Sequence, residues 1–156
     1  MLKLRVAILG FWIGVIALFS FVVAPSAFAV MPSGSFAGAM VSRVLGAVEV
    51  IGIGAGSVLL FNALFSRNRL GRIRNLEIIA YSITVITMLF SRFYVSSRLH
   101  DTRNRLGDSL ASLPSTDIIR AQFDMLHRLS VGSLTLCLLI ALAMLAILLW
   151  NKPDHA

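Results

Sequence analysis

Residues 129–150 form one apolar run without a single charged side chain, and it closes on Trp150. A helix crossing a hydrocarbon layer about 30 Å thick at about 1.5 Å per residue needs about 20 such residues. Inside lipid the backbone must satisfy its own N–H and C=O groups, so the run is expected as a transmembrane α-helix. It is entered through Phe123-Asp124-Met125-Leu126-His127-Arg128, which puts a histidine and an arginine where the helix meets the bilayer. Ionisable groups at that depth are costly without partners. The whole chain agrees with this start. Of its 156 residues 58% are hydrophobic and 13% charged, too little polar surface to cover a soluble domain of this size.

Three further helices are expected, giving helices at about 5–29, 36–65, 76–111 and 116–150 within one membrane domain, 1–156. Lys3 and Arg5 precede an apolar run at 6–24, followed by Pro25-Ser26-Ala27-Phe28-Ala29. The order resembles a secretory signal, but the run exceeds the roughly 7 to 15 residues of a signal core, so a retained first helix is expected. Gly10 and Gly14 give it a close-packing face, and Pro25 is expected to end or kink it. On the second helix Gly38, Ser42, Gly46, Glu49, Gly52 and Gly56 fall on one stripe at about 100° per residue. The small residues allow close approach of another helix, and Glu49 on the same stripe should face protein near mid-membrane. On the third helix Thr84, Thr87, Ser91 and Arg98 share one face.

Two segments are charged. Arg67, Arg69, Arg72 and Arg74 fall within eight residues, a cytoplasmic topology anchor and a surface for anionic lipid headgroups. Residues 98–122 mix both signs. Asp101 with Arg105, Arg120 with Asp124 and Asp124 with Arg128 are spaced for helical ion pairs, and Ser115 or Thr116 is expected to cap the helix after Pro114. The fold expected is therefore all-α: a four-transmembrane-helix bundle, with the hairpin of helices 3 and 4 protruding on the non-cytoplasmic side. The basic loop and Lys152 place both termini in the cytoplasm.

That topology brings Arg43, Arg92, His127 and Arg128 to one level, with Glu49 about two turns deeper. These five form a candidate polar pocket for an anion, although snorkelling to headgroups explains interfacial arginines equally well. No metal or cofactor is expected. One histidine near a span is too few for a metal cage, and the single cysteine, Cys137, lies in an apolar helix. No HExxH, CxxC, P-loop or nucleophile elbow occurs. The expected role is non-enzymatic, an accessory or structural subunit packing against other membrane proteins or itself, with no nucleic-acid partner. The alternative is transport or solute, metal or drug tolerance through the polar cluster. A haem-binding redox subunit comes third.

Phe123-x-x-Leu126-His127-x-x-Ser130, Trp12-x-Gly14 with Ala24-Pro25-x-x-Phe28, and Ala37-Gly38 together resemble the transmembrane protein 205-like family, the bacterial domain of unknown function 4149. The resemblance implies a four-helix integral membrane protein of a bacterial inner membrane that keeps its first helix. That family pattern has a small residue after the histidine and an asparagine one turn beyond the serine. This chain has Arg128 and Leu134 there, so a ligand site built on those positions is altered.

Overall fold

The places where the chain stops being helical follow from local chemistry. Met31 sits at φ −73°, ψ 145°, the extended conformation that a following proline, here Pro32, imposes on its neighbour. Ser33 then caps the next helix, its hydroxyl accepting from the Phe36 N–H at 3.4 Å. Gly107 takes φ +51° and donates to the Arg103 carbonyl at 2.8 Å, a helix end that only glycine adopts at low cost. In the computed structural model, which describes residues 2–65, 71–107, 109, 113–114 and 116–150, these stops separate four helices. They are α1 (Leu2–Val30), α2 (Gly34–Leu64), α3 (Gly71–Leu106) and α4 (Ile118–Trp150), each long and apolar enough to cross a membrane. Arg67, Arg69, Ser115 and Lys152 lie outside the described residues.

One sequence expectation about helix ends changes and another is narrowed. Asp117 caps α4, its Oδ1 accepting from the Ile119 N–H at 2.7 Å; a carboxylate there also meets the positive end of the helix dipole. Pro25 does not end α1. Phe19–Val23 widens into a π-helical turn and the α-helix resumes over Ala24–Val30. Pro25 brings no N–H for the Phe21 carbonyl, and its ring crowds that carbonyl; the wider turn just before it absorbs the mismatch. A second π-helical stretch, Ser91–Ser96, interrupts α3.

Contacts run between α1 and α2, α2 and α3, α3 and α4, and α4 and α1. Between them lie Leu9, Trp12 and Ile16 of α1, Leu45, Val48 and Leu59 of α2, Tyr81 and Met88 of α3, and Cys137, Ala141 and Met144 of α4. Lipid tails are as apolar as these side chains, so fit and hydrogen bonding, not expulsion of water, hold such helices together. The α2 stripe illustrates the fit. A Cβ on Gly52 would lie 2.5 Å from Trp12 Cη2, and one on Gly56 would lie 2.9 Å from Val85 Cγ2. At Gly38 and Gly46 the space is taken by the guanidinium groups of Arg103 and Arg92. The stripe therefore receives neighbouring side chains more than a bare helix backbone. Gly10 and Gly14 behave differently: nothing lies within 4 Å of either added Cβ, and both are exposed.

Candidate functional site

Glu49 is fully buried. Its Oε1 accepts from the Ser91 hydroxyl at 2.6 Å and from the Ser96 hydroxyl at 2.7 Å. In an α-helix two residues five apart lie about 140° apart around the axis, five steps of about 100°. The wider i→i+5 turn over Ser91–Ser96 brings both hydroxyls toward one oxygen. The other oxygen, Oε2, is buried and has no hydrogen-bond partner. A half-satisfied carboxylate beside a π-helical turn is an arrangement that packing alone does not require.

The remaining candidates divide. Arg43 and Arg92 line one lateral groove between α2 and α3, together with His100, which the sequence did not single out. His127 and Arg128 are exposed and line none of the described cavities. His127, expected to point inward, misses the interior by one helical step. The inner face of α4 runs through Ser130, Ser133, Cys137, Ala141, Met144 and Leu148, and Leu126 continues it. His127 is turned from Leu126 by about 100°. On α3 the inner face is Glu77, Tyr81, Thr84, Met88, Ser91, Val95 and Leu99. Thr84 and Ser91 are on it, whereas Arg98, expected beside them, is exposed and stacks on Tyr94, 5.6 Å from the ring centroid. Of the three helical ion pairs expected, Arg120 and Asp124 pair at 3.5 Å.

Two polar junctions were not foreseen. Arg5, 1% exposed, meets Glu77, 0% exposed, with Nη1 at 2.7 Å from both carboxylate oxygens. Its Nε donates to Asn62 Oδ1 and its Nη2 to the Asn62 carbonyl at 2.9 Å. One guanidinium thus ties α1 to α2 and α3, using the fork of donors that arginine alone presents. A signal was available: Arg5 continues the buried series Leu9, Trp12, Ile16 one turn toward the N-terminus. The second junction is Arg103. Its Nη1 donates to the Gly38 carbonyl at 2.6 Å and to the Ser42 hydroxyl, and its guanidinium lies 5.4 Å from the Phe123 ring centroid, joining α3 to α2 and α4.

Among the described residues no group of three or more His, Cys, Asp or Glu side chains could hold a metal ion. Four spans, two buried carboxylates and a lateral cationic groove mark a multi-pass membrane protein with a polar interior. Residues 7–107 match the domain of unknown function family DUF4149; this is more than half of the chain, and the chain belongs to that family. The match covers α1 to α3 and stops short of α4. No curated protein and no solved structure matches the chain.

Proposed function

We propose that this protein is a small non-enzymatic accessory or structural subunit, a four-helix bundle of the transmembrane protein 205-like kind that packs against other proteins of a bacterial inner membrane. One observation carries this: the outward face of α1. Ala7, Gly10, Phe11, Gly14, Leu18 and Phe21 are all exposed, and the two glycines have open space where a side chain would stand. Small residues one turn apart on a lipid-facing surface are the usual seat of a second helix. The inner face of the same helix is committed, through Arg5 and Trp12, to this chain. A helix pinned on one side and open on the other is suited to joining the bundle to a partner. Purification in mild detergent followed by mass spectrometry of what travels with the chain tests this. Stoichiometric membrane partners, or a second copy, are expected; a monomer that never carries one would contradict it.

A second role, binding or transport of a small solute, has its own support in Glu49. An ionisable group buried in a span, with one carboxylate oxygen unpartnered, is a default candidate for solute or proton handling. The bundle would sit with both termini and the basic residues 67–74 in the cytoplasm and the α3–α4 hairpin outside, following the charge bias of that stretch.

A further inference from the structure

We infer that the groove between α2 and α3 holds the phosphate of an anionic membrane lipid, bound by Arg43 and Arg92. The four arginines that reach α2 are not equivalent. Arg5 and Arg103 are satisfied by Glu77, Asn62, Gly38 and Ser42. Arg43 and Arg92 make no hydrogen bond or ion pair among the described residues. Each guanidinium has five N–H donors and no acceptor, and both border the same groove of ≈ 1060 Å³.

The position of Arg92 is built in. Its Nη1 occupies the space beside Gly46, 2.9 Å from where a Cβ would stand, so the guanidinium lies against the backbone of α2 on the side of Arg43. No carboxylate lines the groove. Asp101 lines the adjoining cavity with Arg92, but no ion pair joins them. His100 adds a further donor: the Asn104 amide engages Nδ1 at 2.8 Å and leaves Nε2 for a ligand.

Depth and wall composition point to a lipid in preference to a soluble anion. From Val44 to Leu64 α2 carries no charge except the buried Glu49. That is about the length of the hydrocarbon layer, which places Arg43 at headgroup level. Below the cations the groove is walled by Ala47, Val50 and Ile51, apolar side chains facing where an acyl chain runs. Cations at the phosphate level above an apolar wall match an anionic phospholipid end to end. This end of α3 is opposite the one that carries Arg72 and Arg74, so it is a separate site.

The test uses the full chain in detergent, its unfolding temperature followed while dioleoyl phosphatidylglycerol, dioleoyl phosphatidylcholine or inorganic phosphate is added. Phosphatidylglycerol should raise the unfolding temperature of the unmodified protein, with phosphatidylcholine and phosphate giving little. Arg43→Gln, at an exposed position, should lose most of that rise while keeping its starting stability. Arg92→Gln should behave alike, and Arg98→Gln should respond as the unmodified protein does. Equal responses to both lipids, or an undiminished response in Arg43→Gln, would overturn the lipid site. A response to phosphate alone equal to that of phosphatidylglycerol would make it a soluble-anion site instead.

Discussion

At the scale of single residues the interior is held by few polar contacts with high stakes. Arg5 and Glu77 are both buried. Breaking a buried ion pair by removing one partner costs about 3–5 kcal/mol, while replacing both with apolar groups of similar volume is often close to neutral. Arg5→Met or Glu77→Leu alone should therefore lower the unfolding temperature in detergent strongly. The double variant should recover most of the loss; additive losses would show that the two residues act separately. Gly52 gives a steric counterpart. A methyl there meets the Trp12 ring, so Gly52→Ala should cost about 1–3 kcal/mol as overpacking, while Gly14→Ala should cost nothing measurable. The pairing of Arg5 was hidden because its partner lies 72 residues away and because a basic residue before an apolar run reads first as a topology signal. Glu49 was legible, since a carboxylate on a stripe of small residues has nowhere to face but protein.

At the scale of elements, the four apolar runs were plain from length alone. The two π-helical turns were not. Pro25 announced a disturbance in α1 without its i→i+5 form, and the turn in α3 faces Glu49 on another helix, which no local composition announces. The consequence reached further than the turns: beyond Ser91–Ser96 Arg98 no longer shares the face of Thr84 and Ser91 and is exposed. A π-helical turn behaves as one extra residue in an α-helix, which leads to a specific expectation. Deleting Phe93, 73% exposed within that stretch, should restore regular α-helix with Ser91 and Ser96 four apart and still on Glu49. Deleting Ile86, 65% exposed in the regular part of α3, should rotate everything after it by about 100° and abolish folding. Yield and thermal unfolding of the two deletions decide this. Equal damage from both would mean that the widened turn is not an insertion in an otherwise regular helix. His127 shows how fine the margin is at this scale, because one residue separates the inner face of α4 from its exposed one.

At the scale of the molecule, α1 joins everything else. It is bound to α2 and α3 through Arg5, it fills the hollow at Gly52 with Trp12, and it turns an open glycine face outward. The proposed orientation rests on the four arginines at 67–74 and the bias of such residues toward the cytoplasm. After replacement of Cys137, a cysteine at position 70 should resist an impermeant thiol reagent in intact cells and one at position 114 should react; the reverse pattern would invert the topology. The most direct test of the accessory role compares co-purification of the unmodified chain with Gly10→Leu and Gly14→Leu. Both changes fall in open space, so the chain itself should unfold at an unchanged temperature while the accompanying protein, or second copy, is lost from the purified material. Retention of the same partners in both variants at full stoichiometry would contradict the role assigned to this face of α1.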